Sequence, residues 1–73
     1  MKTKRMNIKN KKLTNRENEI FSLLLSGLYP KEIAGKLSVS YFTVDFHRKN
    51  LYRKLGVHSR TELFLLYIQS LAV

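Results

Sequence analysis

The chain has 73 residues with no cysteine, so it has room for one small domain whose apolar core must hold the fold without disulfide bonds. Its longest apolar run is six residues, too short to cross a bilayer, and we find no catalytic constellation, so an enzyme is not expected. The net charge of +9 favours a polyanionic partner, most simply a nucleic acid.

Positive charge is concentrated in two segments. Residues 2–12 carry six basic side chains and no acidic one, and residues 41–55 carry four basic side chains against one aspartate. These segments account for the whole net charge, because the other basic and acidic residues balance each other. The expected class is a soluble cytoplasmic protein that binds a polyanion, and the alternative is a solvated basic surface.

A basic arm precedes the first predicted helix. Residues 1–12 have no apolar period, so they are interpreted as a flexible N-terminal arm. Thr14 and Glu17 have the spacing of a capping box, and a broad apolar stripe follows them. This pattern predicts a helix over about residues 15–26.

Two further helices follow with a short connection between them. Pro30 suits the first turn of a helix, which predicts a helix over residues 30–37. Ser40 is a good N-cap and Gly56 a good C-terminal stop, which predicts a helix over residues 41–55. The connection of about three residues forces the steep crossing that is typical of a helix-turn-helix motif.

The last predicted helix is apolar on nearly every side. Ser59 and Glu62 form a second candidate capping box, which predicts a helix over residues 60–71. The side chains expected to face the core are Leu63, Phe64, Tyr67, Ile68 and Leu71. A homodimer interface is expected from Leu65, Leu66, Gln69 and Ala72, whereas coverage by the arm or by an absent domain is the alternative. The predicted fold is therefore an all-α, four-helix domain over residues 13–73.

Three motifs resemble those of a known family. They are KEIA at residues 31–34, TV at residues 43–44 followed by His47 and Asn50, and KLGV at residues 54–57. With these motifs the chain resembles the LuxR-type, GerE-like DNA-binding domain of bacterial transcription regulators over nearly all of residues 13–68. The resemblance implies a helix-turn-helix domain whose third helix enters the major groove and whose fourth helix forms a dimer. Sigma-factor region four is a weaker match because it usually lacks the KLGV segment.

The resemblance places base contacts at Asp45, Phe46 and Lys49. Aspartate can accept a hydrogen bond from cytosine, phenylalanine can pack against a thymine methyl, and lysine can donate to guanine. Position 45 departs from the family, most members of which have lysine or arginine there. The alternatives are an ion pair of Asp45 with Arg48 or Lys49, and a phosphate contact or free solvation for Lys49. The outward face of this helix is expected to carry Phe42, Asp45, Phe46, Lys49, Tyr52 and Arg53.

Phosphate contacts are expected from the flanks of the third helix and from the N-termini of the second and third helices. The candidates are Lys31, Ser40, Thr43, His47, Arg48, Asn50, Arg53 and Lys54. The arm could follow the minor groove, and a disordered linker is the alternative. His47 and His58 have no partner cluster for zinc, so we expect no metal, no cofactor and no small-molecule ligand.

The predicted function is sequence-specific binding of double-stranded DNA by a cytoplasmic bacterial transcription regulator that acts as a homodimer. The alternative is a protein-interaction adaptor in which DNA binding is weak or lost, which the departure at position 45 supports. A membrane-surface peptide is disfavoured, because the capping boxes and buried residues specify a packed domain. Met1 and the composition of the arm favour a stand-alone regulator over a fragment of a longer protein.

Overall fold

The computed structural model describes Asn10 and residues 12–71, and these contain four α-helices and no strand. The helices are α1 (Asn15–Leu25), α2 (Pro30–Leu37), α3 (Tyr41–Leu55) and α4 (Arg60–Leu71). The predicted all-α, four-helix fold class is confirmed. None of these helices is long and apolar enough to cross a membrane. Most of the predicted basic arm lies outside the described residues.

Local capping sets the ends of the helices. At the start of α1, Thr14 Oγ1 accepts from the Glu17 N–H at 3.1 Å and Glu17 Oε1 accepts from the Thr14 N–H at 3.0 Å, so the predicted capping box is confirmed. Ser40 Oγ accepts from the Thr43 N–H at 3.0 Å and caps α3 as predicted. Gly56 ends α3 at a φ of 73°, in the left-handed region that favours glycine.

The cap of α4 differs from the prediction. Ser59 Oγ accepts from the Glu62 N–H at 3.1 Å, as predicted, but Glu62 Oε1 accepts from the His58 N–H at 2.6 Å. The same oxygen lies 3.5 Å from His58 Nδ1, so the carboxylate reaches two nitrogen atoms of one residue. The Ser59 half of the predicted capping box is therefore present, whereas the Glu62 carboxylate contacts His58, the residue before the predicted cap.

The core lies where α1, α2 and α3 meet, and α4 adds one fully buried leucine. The largest fully buried side chains are Ile20, Leu24, Ile33, Leu51, Leu63 and Val44. Ala34 is buried within α2, and its carbonyl accepts from the Val39 N–H in the turn at 3.0 Å. Ser38 adopts a φ of 57° in this turn, which redirects the chain into α3. The small side chain of Ala34 and the left-handed backbone of Ser38 thus allow the sharp turn between α2 and α3.

The C-terminal half of α4 is more exposed than predicted. Leu63 is fully buried and Leu66 packs against the core, whereas Ile68 and Leu71 are 57% and 61% exposed. The prediction that Ile68 and Leu71 face the core was wrong, because every residue from 68 to 71 is exposed and this part of α4 extends past the buried cluster. An apolar surface is left on the helix that the sequence assigned to dimer formation.

Candidate nucleic-acid interface

One side of α3 is exposed along its length. Phe42 and Phe46 are 79% and 62% exposed, and the side chains of Lys49 and Arg53 are exposed as well. These four positions are spaced by four, three and four residues, which keeps them on one side of a helix. We call Phe42, Phe46, Lys49 and Arg53 the exposed stripe. The opposite side of α3 is buried in the core through Val44 and Leu51.

Asp45 lies beside the exposed stripe and contacts two cations. Its Oδ1 accepts from Nε and Nη2 of Arg48 at 3.1 and 2.5 Å, and its Oδ2 lies 3.3 Å from Lys49 Nζ. The Asp45 side chain is only 17% exposed. The hydrogen bond from Arg48 outweighs burial and holds the pKa of the Asp45 carboxyl below its ordinary value. The ion pair is therefore present in the free protein, and a base contact by Asp45 stays a prediction.

Arg48 is partly buried and is held between a carboxylate and an aromatic ring. Its guanidinium carbon lies 5.1 Å from the centre of the Tyr52 ring. Burial alone would lower the pKa of Arg48, but the hydrogen bond to Asp45 raises it above its ordinary value. Tyr52 was predicted on the outward face, and this was wrong because the ring is half-buried against the core. The Arg48 phosphate contact stays a prediction.

The predicted phosphate contacts fall into two groups by exposure. The exposed ones are Lys31, Ser40, Thr43 and Arg53, whereas the half-buried ones are His47, Arg48, Asn50 and Lys54. The first group lies at the N-termini of α2 and α3 and on the exposed stripe, where it is open to a polyanion. Ser40 Oγ and Thr43 Oγ1 are 3.0 Å apart at the start of α3, where a helix dipole favours anions. The two groups therefore differ in how open their side chains are to a polyanion.

Lys54 has a structural partner that the sequence did not predict. Its Nζ donates to Glu17 Oε1 at 2.7 Å, and the Glu17 side chain is only 4% exposed. Burial alone would raise the pKa of Glu17, but the hydrogen bonds from Lys54 and from the Thr14 N–H together lower it below its ordinary value. This ion pair joins α1 to the last turn of α3. A phosphate contact by Lys54 stays a prediction.

Two further polar side chains join segments distant in sequence, and sequence reasoning missed both. Arg60 Nη2 donates to the carbonyl oxygens of Leu24 and Leu28 at 3.1 and 2.8 Å, at the end of α1. Asn18 Oδ1 accepts from the Asn10 N–H at 2.7 Å, and this bond ties the preceding segment to α1. An arginine at the start of a helix opposes the helix dipole, and that feature could have indicated a tertiary partner for Arg60.

The predicted dimer residues of α4 have different environments. Leu65 is 52% exposed and Gln69 is exposed, whereas Leu66 already packs against the core. Ala72 lies outside the described residues. The exposed large apolar side chains of α4 are Leu65, Ile68 and Leu71.

Comparisons with known proteins identify relatives of this arrangement. The family of bacterial regulatory proteins called luxR matches residues 11–67. Over 51 residues the chain is 55% identical to the Fimbriae Z protein of Escherichia coli (strain K12), covering 70% of this chain and 24% of that protein. Over 60 residues it is 47% identical to a putative HTH-type transcriptional regulator in exeN 3'region of Aeromonas salmonicida, covering 82% and 31%.

A third relative is the nitrate/nitrite response regulator protein NarP of Escherichia coli (strain K12). The chain is 44% identical to it over 57 residues, which are 78% of this chain and 26% of that protein. The chain therefore matches only about a quarter to a third of the length of these three relatives.

Proposed function

The chain belongs to the luxR family of bacterial regulatory proteins, and we propose that it binds double-stranded DNA sequence-specifically with α3 in the major groove. The observation that carries this proposal is the exposed stripe on a helix whose other side is anchored in the core. A rigid helix with one open side matches the way in which helix-turn-helix proteins present side chains to base edges. The family is one of DNA-binding regulators of transcription, and α3 is the element that this chain offers for reading DNA.

The proposed base contacts are Asp45, Phe46 and Lys49. Lys49 is 69% exposed and can donate to O6 and N7 of guanine. Both carboxylate oxygens of Asp45 contact cations in the free protein, so a cytosine amino group must displace or share one of these partners. A base that offers no donor at this position gives the Asp45 carboxylate no new hydrogen bond while it lies near the DNA phosphates, and this penalises the wrong sequence.

The proposed regulator is a homodimer in the bacterial cytoplasm. Exposed apolar side chains on α4, including Leu65, support a twofold interface that would place two α3 helices about one turn of DNA apart at inverted half-sites. Direct half-sites, the alternative, would require the two subunits to be arranged head to tail. If each subunit neutralises about five phosphates, the slope of log affinity against log salt concentration approaches about −9 for the dimer. The exposed basic side chains of Lys31 on α2 and of Arg53 in the exposed stripe support this estimate.

Fluorescence anisotropy over a salt series tests the proposal with random duplexes and with duplexes enriched by selection. We expect Lys49→Ala to weaken the enriched duplex about tenfold or more and to relax the preference at one guanine. Lys36→Ala is the matched control, because Lys36 is an exposed lysine on α2 outside the proposed contacts. If the two variants weaken binding equally, Lys49 contributes only its positive charge and does not read a base.

The same assay separates the regulator from an adaptor that binds proteins. The adaptor is favoured by one observation, namely that Asp45 offsets the charge of two cations beside the exposed stripe. Salt-sensitive binding with an enriched half-site supports the regulator. If the folded protein binds no duplex at low salt, the regulator proposal fails and the adaptor replaces it.

A further inference from the structure

Two phenylalanines on the N-terminal half of α3 are unusually open to water. Phe42 and Phe46 are the two most exposed large apolar side chains of the described residues, at 79% and 62%. Each makes an edge contact with its own chain neighbour, Phe42 with Tyr41 at 5.7 Å and Phe46 with His47 at 5.5 Å between ring centres. Their exposed surface adds little to the stability of the core, so it is available to a partner.

The surroundings of the two rings indicate what that partner is. Lys49 and Arg53 continue the exposed stripe directly beyond Phe46, and the chain carries a net charge of +9. A surface that combines apolar rings with cations in one line complements a partner that combines small apolar groups with phosphates. The major groove of DNA presents such an apolar group, the C5 methyl of thymine, between two phosphate backbones.

The spacing of the two rings fits two base pairs. Residues four apart on a helix are separated by about 6 Å along its axis, and successive base pairs are separated by about 3.4 Å. A helix that follows the groove therefore brings Phe42 and Phe46 against positions about two base pairs apart.

We propose that Phe42 and Phe46 form a pair of thymine-methyl readers, so that each half-site contains two thymines about two base pairs apart. The proposal rests on the proposed function, and it adds Phe42 as a specificity-determining residue and a spacing of about two base pairs between two thymines. Phe42 reads the methyl nearer the start of α3 and Phe46 reads the other. Lys49 and Arg53 supply the charge that holds the helix in the groove.

Replacing thymine by uracil tests this, because uracil keeps the pairing edge and lacks only the methyl group. A duplex enriched by selection is compared with duplexes in which each thymine in turn is uracil. Loss of a buried methyl is expected to weaken binding about fourfold at each of two positions. Phe42→Ala should abolish the effect at one position and Phe46→Ala at the other.

The control variant is Lys31→Ala, which removes a proposed phosphate contact on α2. It should weaken the thymine and uracil duplexes equally, so the ratio of their affinities stays at the wild-type value. Circular dichroism confirms that the alanine variants are folded, as expected for side chains this exposed. Wild-type ratios at both positions in both phenylalanine variants would overturn the assignment to these rings.

The outcomes also separate this proposal from the proposed function. Salt-sensitive duplex binding that does not respond to uracil overturns the methyl proposal and leaves the proposed function standing. No duplex binding by the folded protein overturns both, and it would assign the two rings to a protein partner.

Discussion

Replacing Glu17 by glutamine tests how strongly the ion pair between α1 and α3 stabilises the domain. The substitution keeps the shape of the side chain and removes its charge. Breaking a buried ion pair costs about 3–5 kcal/mol, but Lys54 is 33% exposed and can turn towards water. We therefore expect Glu17→Gln to lower the free energy of unfolding by about 2 kcal/mol. Lys54→Met should cost more, about 3 kcal/mol, because it leaves the buried carboxylate without its cation.

This loss is large relative to the stability of so small a domain. At about 0.05–0.15 kcal/mol per residue, a chain of 73 residues has a free energy of unfolding of about 4–11 kcal/mol. A loss of about 2 kcal/mol corresponds to a decrease in Tm of about 8–16 °C. Urea unfolding followed by circular dichroism at neutral pH measures the free energy, and thermal unfolding measures the decrease in Tm.

Acid gives a second measure of the same ion pair. The pKa of Glu17 is lower in the folded protein than its ordinary value in an unfolded chain, because Lys54 and the Thr14 N–H donate to the carboxylate. Its stabilising contribution is therefore fully present above that unfolded pKa and is lost as the pH falls through the lower, folded pKa. The difference in stability between wild type and Glu17→Gln should shrink over this acidic range.

The matched control is Glu19→Gln, the same substitution on the same helix. Glu19 pairs with Arg16 at 3.1 Å, but these side chains are 49% and 41% exposed. A surface pair of this kind is worth about 0–1 kcal/mol, so we expect a small effect. The reasoning is refuted if Glu17→Gln and Glu19→Gln cost the same, or if the advantage of wild type over Glu17→Gln is independent of pH.

Three further predictions concern Arg60 of α4, Asp45 beside the exposed stripe, and two glycines. Arg60→Lys should lower the free energy of unfolding by about 1–2 kcal/mol, because lysine lacks the planar guanidinium that lies 4.4 Å from the centre of the Tyr29 ring while its Nη2 donates to two carbonyls. Unchanged stability in urea would contradict this. Asp45→Asn should tighten binding to random duplexes and make the salt slope more negative by about 1, whereas an unchanged slope would show that Asp45 does not offset the charge that DNA meets. Gly35→Ala should raise the free energy of unfolding by about 0.5–1 kcal/mol, because Gly35 is helical and has open space for a methyl group. Gly56→Ala should lower it by about 1 kcal/mol, because alanine is strained at the positive φ of this position. Thermal unfolding should therefore show a higher Tm for Gly35→Ala and a lower Tm for Gly56→Ala.

The sequence alone determined the features that depend on neighbours three or four residues apart. The capping box of Thr14 with Glu17 and the stop at Gly56 follow from local hydrogen bonding and from backbone conformation, so they could be predicted without tertiary structure. The helical period likewise predicted that Phe46 and Lys49 are exposed together on the outer side of α3. These inferences were enough for the fold class and for the surface proposed to face DNA.

Only the tertiary structure decided which distant residues meet. The partner of Glu17 is 37 residues away, and Arg60 reaches carbonyls 32 and 36 residues away, so no periodic pattern could indicate either contact. The pattern of α4 was apolar on nearly every side, and it therefore did not distinguish the side of Leu63 and Leu66, which packs against the core, from the exposed side of Ile68. The physical reason is that the hydrogen bonds of a helix cap form within one turn of the helix. Which side of an apolar helix is buried depends instead on how far the core formed by the other three helices extends along it.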